Sequence, residues 1–168
     1  MKLSRRLILN EPVKEDFKRF YEIHADPDTN LFNPAGAMTM EIAEKAFNEM
    51  TAHWKAKGFG CRSVKEKENP AFVIGFGGLS NRLYGNEMKL NIGYRFDKNY
   101  WGKGYATELA QSAINLGLNE LHKNELFAIV RPAHSASIKV LEKCKMKLVD
   151  ELNDVANEAN SLIYKIEK

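Results

Sequence analysis

The chain has very little cysteine. Its two cysteines, Cys61 and Cys144, are far apart and form no CxxC pair, which excludes the common spacings of a structural zinc site or a disulfide framework and suits a reducing compartment. Long apolar runs are missing as well. No stretch approaches the roughly 18 residues needed to cross a bilayer, so a soluble cytoplasmic protein with no membrane partner is expected. Ser4-Arg5-Arg6-Leu7-Ile8-Leu9 places two arginines ahead of apolar residues, but Asn10, Glu11, Pro12 and Lys14 end the run too early for an export signal. It reads as a first strand. Nor is charge of one sign concentrated anywhere. The formal charge is +3, from 25 Lys and Arg against 22 Asp and Glu spread along the chain. That gives no footprint for nucleic acid and leaves room for a polyanionic small ligand. Repeats and low-complexity linkers are also absent. At 168 residues and 44% hydrophobic, residues 1–168 fit one domain with a real core.

The elements follow from periodicity and punctuation. Arg6 to Asn10 predicts a short strand, and Phe17, Phe20, Tyr21 and His24 recur at helical spacing before Asp26-Pro27. Asp26 to Met38 is rich in turn formers and carries Leu31 and Phe32, so it reads either as a loop lining a cleft or as a plain connector. Thr39 is an N-cap candidate for a second helix stopped by Gly58. Phe59 to Glu66 and Ala71 to Leu79 predict paired strands turning at Lys67, Glu68 and Asn69. Gly75, Gly77 and Gly78 mark a bulge there, or a close approach of backbone or ligand. Met88 to Phe96 alternates, with Met88, Leu90, Ile92, Tyr94 and Phe96 on one face. A helix from about Lys103 to Leu121 carries a stripe of Ala106, Ala110, Ala113 and Gly117. Glu125 to Val130 is a buried strand, and strand, helix and strand in succession predict a parallel pair through a right-handed crossover. Ser135 to Lys145 predicts a helix, and Lys147 to Leu152 with Ser161 to Glu167 a closing antiparallel pair.

The chain is organised around Asn91 to Glu108, NIGYRFDKNYWGKGYATE. An alternating strand ends in a charged turn, meets Gly102 and Gly104, and becomes a helix with no acidic residue before Glu108. Glycines let N–H groups point inward, and the first helical turn adds unpaired donors at the positive end of its dipole, so this is a phosphate pocket by construction. Two phosphate motifs fail on spacing. A dinucleotide fingerprint needs glycine where Thr107 stands and an acid at the end of the next strand, which Glu125 begins. A Walker loop needs Gly-Lys-Ser/Thr, which does not occur.

The segments IGYRFDKNYWGKGYATE and HSASIKVLEKCKM together resemble the acetyl-CoA-binding core of the GNAT superfamily of N-acetyltransferases, most of all the branch of the RimJ and RimL ribosomal-protein N-terminal acetyltransferases. The likeness follows the element order of nearly the whole chain and is most specific over residues 91–146. It implies an α+β fold: a mostly antiparallel twisted sheet of about seven strands with one splayed parallel pair, flanked by about four helices. It implies acetyl-CoA as acyl donor, no metal, and transfer to a primary amine by direct attack in a ternary complex. The amine would be a peptide N-terminus or a small molecule, and a homodimer is among the expectations. By the same resemblance, Trp101, Gly102, Lys103, Gly104, Tyr105 and Ala106, with Thr107 close by, hold the pyrophosphate through backbone N–H groups. Tyr94, Arg95 and Phe96 offer backbone to pantetheine, facing Ala128 to Val130, and Lys103 and Lys143 are candidates for phosphate contacts.

Two departures bear on chemistry. The family often has Glu just before Ile-Gly-Tyr, where this chain has Asn91, and Asn is no base. The helix that usually begins Asn-x-x-Ser and ends Gly-Phe has His134, Ser137, Lys145 and Met146 here. Ser137 aligns with the acid proposed for the leaving thiolate, whose pKa of about 8.5 asks little help. His134 has three open roles: coenzyme contact, base, or helix cap. Asn91 could polarise a water, with Glu87, His24 and His53 as reserve bases. Trp101 and Tyr105 are expected to pack beneath the loop. A coenzyme-binding sensor without efficient transfer is the competing reading.

Overall fold

The computed structural model describes residues 1–168. Its strands are β1 (Lys2–Leu3), β2 (Leu7–Asn10), β3 (Cys61–Glu66), β4 (Asn69–Tyr84), β5 (Glu87–Phe96), β6 (Glu125–Val130), β7 (Lys147–Leu152) and β8 (Ser161–Glu167). The helices are α1 (Phe17–Ala25), α2 (Met40–Lys57), α3 (Tyr105–Asn115) and α4 (Ser135–Lys143). All eight strands form one sheet in the order β1-β2-β3-β4-β5-β6-β8-β7. Only β5 and β6 run parallel, and they meet at the single pair Asn91–Phe127. The α+β architecture is therefore the expected one. The eighth strand is β1, in which Lys2 and Leu3 pair with Leu9 and Ile8, too short to be read from pattern.

Local signals set most boundaries. The Thr39 side chain accepts a hydrogen bond from the Ile42 N–H, and Gly58 ends α2 in the left-handed conformation at φ 71°, as N-cap and C′ chemistry require. The β4–β5 hairpin turns at Gly85-Asn86 and keeps an unbroken register from Gly75–Phe96 to Tyr84–Glu87. A Cβ on Gly77 would come within 2.6 Å of the Leu109 side chain and 2.7 Å of the Gly93 carbonyl, so the missing side chain lets α3 lie directly on the sheet. The expected bulge lies beside Gly75: Val64 pairs with Gly75 and Lys65 with Val73, so Ile74 of β4 is the extra residue.

The long helix expected to Leu121 stops at Asn115 and continues as a π turn over Leu116–Glu120. Gly117 there lies so close to Leu126 that a Cβ would be 2.7 Å from its side chain. The apolar face of β5 supports the core: Ile92 packs with Leu79, Ala110, Ala113 and Leu126, and Phe96 with Tyr105 and Leu109. Met88, expected on that face, is exposed at the hairpin end. On the other side, Phe20, Ile23, Ala43 and Phe47 of α1 and α2 cover Val73 and Phe76. No helix is long and apolar enough to cross a membrane.

Candidate active site

Beyond Asn91 the parallel pair opens, because β5 continues alongside β4 while β6 continues alongside β8. A cavity of about 690 Å³ occupies the gap and is lined by Asn91, Tyr94, Arg95, Phe96, Trp101, Gly102, Gly104, Tyr105, Ala106, Thr107, His134 and Ser137. Ala128 to Val130 face them, and Leu31 and Phe32 bring the α1–α2 loop onto the same wall. That loop is thus no plain connector. Lys103 is the expected residue that does not line the cavity. Its ammonium lies 4.7 Å from the Tyr100 ring centroid, and its carbonyl accepts from Arg6 at 2.8 Å.

One end of the cavity is built for anions. Gly102 and Gly104 have φ of 75° and 80°, values open to glycine at little cost. The first helical hydrogen bond runs from the Glu108 N–H to the Gly104 carbonyl, so the N–H groups of Tyr105, Ala106 and Thr107 are left for a ligand. Those of Gly102, Lys103 and Gly104 likewise donate to no atom of the chain. This cradle, with its helix dipole and with Lys139 and Lys143 on the wall, fits a pyrophosphate. Glu108 braces the loop from behind. Its carboxylate accepts from the Ser4 hydroxyl at 2.7 Å and from the Arg6 N–H and Nε at 2.6 and 2.8 Å. Those bonds hold it below the usual carboxylate range against the opposing effect of burial. Trp101 donates its indole N–H to the Phe96 carbonyl at 2.9 Å. That carbonyl already accepts one hydrogen bond, and Tyr94 turns its N–H and C=O to the open edge of β5; Arg95, expected beside it, turns its carbonyl to β4, where a Cβ on Gly75 would meet it at 2.8 Å. Tyr105 packs beneath the loop as expected, with its hydroxyl donating to Glu66, whereas Trp101, expected to do the same, is half exposed because only its indole N–H is tied down.

At the middle of the cavity the hydroxyls of Tyr94 and Ser137 lie 2.9 Å apart. Alternation had put Tyr94 on the core side of β5, but a backbone role hid its hydroxyl. Burial keeps that phenol raised above its ordinary pKa, so it is a proton donor at neutral pH. Asn91 is buried, and its Oδ1 accepts from the Tyr84 hydroxyl at 2.7 Å. Its amide nitrogen points along Gly93, where a Cβ would meet Nδ2 at 3.4 Å. His134 makes no side-chain cap on α4. Its ring instead meets Phe32 edge-on at 4.4 Å, and burial followed by the charge of Arg95 lowers its pKa.

The reserve bases do not converge on the cavity. His24 stacks on Phe20 at 4.0 Å and donates Nδ1–H to the Phe20 carbonyl. Its pKa is lowered to about 4 by burial and by Arg95. His53 packs against Phe59, and Glu87 pairs with Lys89 at 3.1 Å on the surface. Sequence reasoning missed Arg82 and Arg131 on the cavity wall. No group of three or more His, Cys, Asp or Glu side chains is placed to hold a metal ion.

Comparison with known proteins agrees with this geometry. The model of the acetyltransferase (GNAT) domain matches residues 6–147, and the chain belongs to that family. Among relatives, YkkB of Bacillus subtilis is 30% identical over 122 residues, 69% of this chain and 71% of its own length. The N-acetyltransferase YnaD of the same organism is 28% identical over 144 residues, 86% and 81% of the two chains. A GNAT acetyltransferase from Bacillus anthracis superposes with TM-score 0.81 at 24% identity, covering 98% and 96%. RimL, an acetyltransferase of the ribosomal L7/L12 α-amino group, was solved with coenzyme A and gives 0.78 at 14% identity, covering 99% and 96%. The spermidine N-acetyltransferase of Vibrio cholerae, solved with coenzyme A and spermine, gives 0.76 at 14% identity, covering 96% and 95%.

Proposed function

We propose that the chain acts as one domain, residues 1–168, that transfers the acetyl group of acetyl-CoA to a primary amine by direct attack within a ternary complex. The observation that carries this reading is the cavity at the β5–β6 split, which joins the free N–H donors of its five lining residues Gly102, Gly104, Tyr105, Ala106 and Thr107 to the Tyr94–Ser137 hydroxyl pair. Gly102 to Thr107 hold the pyrophosphate, with Lys143 and Lys139 supporting it. The open edges at Tyr94, and at Ala128 to Val130, carry the pantetheine amides as an added strand would. Bound coenzyme supplies the activated acetyl group and a thiolate leaving group. Orientation of the two substrates supplies much of the rate.

Ser137 and Tyr94 deliver a proton to the departing sulfur, with the phenol the stronger donor. Asn91 directs its amide N–H groups at the acceptor end, while Tyr84 fixes its carbonyl. It orients amine or water and takes no proton. The one side-chain partner of Asn91 is the Tyr84 hydroxyl, and in this proposal the amine loses its proton to solvent through the cavity. A RimJ- or RimL-like peptide acceptor belongs to this proposal, supported by the Ser137 position. The spermidine enzyme's comparable likeness leaves the small amines open. A cytoplasmic location, supported by two free cysteines, and a homodimer are parts of the same proposal.

The competing sensor reading draws on the same Asn91. Thiol release from acetyl-CoA in the presence of an amine panel separates the two. A sensor binds coenzyme and releases no thiol above hydrolysis, whereas the proposed enzyme releases one thiol for each amine acetylated.

A further inference from the structure

Arg95 sits on the cavity wall as a half-buried cation with no carboxylate beside it. Its Nη1 donates to the side-chain amide oxygen Oδ1 of Asn30, which uses one of five N–H donors. Nothing acidic offsets its burial, the one influence that lowers its pKa, and its charge acts on His24 and His134 to either side. The carboxylates on the same wall are engaged at the rim. Asp28 pairs with Lys98 at 2.6 Å and Asp154 with Arg131 at 3.6 Å. Arg82, exposed and with no ion pair, adds a second cation near Tyr84, the residue that fixes Asn91.

Between Asn91 and Arg95 the same face of β5 carries only Gly93, whose missing side chain leaves bare strand. The two Cα atoms are about 13 Å apart along the strand, a span that a short peptide covers directly and an amino acid covers once the flexible Arg95 side chain reaches toward it. A cation taken partly out of water without a counter-ion is costly, and a carboxylate meeting a guanidinium fork removes that cost with two parallel hydrogen bonds. A polyamine would instead add positive charge beside Arg95.

Resting on the acetyltransferase reading, we infer that the amine acceptor carries a carboxylate, which seats on Arg95 and places the amine over Gly93 beside Asn91. The carboxylate belongs either to a free amino acid or to an acidic residue next to a peptide N-terminus, and the chemistry of recognition is the same.

The test is calorimetric titration of the wild type, Arg95→Lys and Arg95→Gln, each saturated with coenzyme A. The probes are free amino acids and their amides, short peptides with Asp or Asn in second position, and spermidine. Carboxylate probes should bind at least about 10-fold tighter than their amides, Arg95→Gln should abolish the difference, and Arg95→Lys should keep part of it. Coenzyme A affinity should change by less than about 2-fold in either variant. Tighter binding of Asp peptides than of amino acids assigns the carboxylate to a peptide, and the reverse assigns it to an amino acid.

Equal affinity for acid and amide, tighter binding of spermidine, or a parallel loss of coenzyme affinity in Arg95→Gln would overturn the inference. If that variant does not fold, the wild-type acid-to-amide ratio and Arg95→Lys decide. Thiol release measured alongside keeps the two levels apart. Carboxylate selectivity without release faults the transfer reading alone, and release on uncharged amines without selectivity faults this inference alone.

Discussion

Arg6 joins the start of β2 to the phosphate loop, with its Nε 2.8 Å from Glu108 and its Nη1 2.8 Å from the Lys103 carbonyl. Because Glu108 lies in the first turn of α3, one guanidinium fixes both the loop and the helix that presents the free N–H groups. Arg6→Ala should therefore weaken coenzyme A binding by about 5- to 20-fold, the scale of one or two charge-assisted hydrogen bonds lost at a half-exposed site. Turnover at saturating coenzyme should be nearly unchanged. Titration with coenzyme A and kcat at saturation check this, and unchanged affinity would remove the bracing role.

The hydroxyl pair makes an asymmetric prediction. Tyr94→Phe removes the phenolic donor and should lower kcat by about 10- to 100-fold, within the range of general-acid contributions. Ser137→Ala leaves the phenol in place and should cost only about 2- to 5-fold, since a thiolate of pKa about 8.5 leaves readily. If both variants turn over at the wild-type rate, the proton comes from elsewhere.

The end of α4 holds a stability prediction. Lys145 sits at φ 62° and closes a Schellman turn, in which its N–H donates to Glu142 and that of Met146 to Leu141. The left-handed position favours glycine, the residue the family motif has there. Lys145→Gly should stabilise the fold by about 0.5–1 kcal/mol, raising Tm by about 1–4 °C for a chain of this size. A lower Tm would show that the lysine side chain contributes more than its backbone strain costs.

His24 sets a pH dependence. Its folded pKa of about 4 lies below the unfolded value of 6.5, so the unfolded chain binds the proton more readily. Stability from this group is complete above pH 6.5 and declines as pH falls toward 4, by about 1.4 kcal/mol per unit through that window and about 3 kcal/mol in all. Denaturant unfolding at several pH values should show this slope. In His24→Gln the slope should be largely gone, at some cost in stability at neutral pH from lost stacking on Phe20. A wild-type curve flat from pH 6.5 to 4.5 would contradict the buried neutral imidazole.

How legible the sequence was depends on the range of the interaction. Thr39 and Gly58 act within one turn of their own helix, and both appear where the sequence put them. The parallel β5–β6 pair followed from element order and handedness, and the free N–H groups followed from Gly102, Gly104 and the start of a helix. The partners of the side chains were beyond reach. Asn91 is held by Tyr84 across the β4–β5 hairpin, Tyr94 meets Ser137 from another element, and Arg95 matters because no carboxylate folds against it. These relations arise only when distant segments pack. Lys103 illustrates the converse: a lysine within a phosphate motif has its ammonium over the Tyr100 ring and its carbonyl tied to Arg6.

The most direct measurement of the central claim is acetyl-CoA consumption by the purified protein across a panel of amino acids, N-terminal peptides and polyamines, followed by thiol release and by the mass of the product. The account predicts saturable thiol release matched one for one by a product 42 Da heavier (about, for the acetyl group replacing one proton at nitrogen), and loss of most of it in Tyr94→Phe. Tight coenzyme A binding with no amine product from any member of the panel would contradict it.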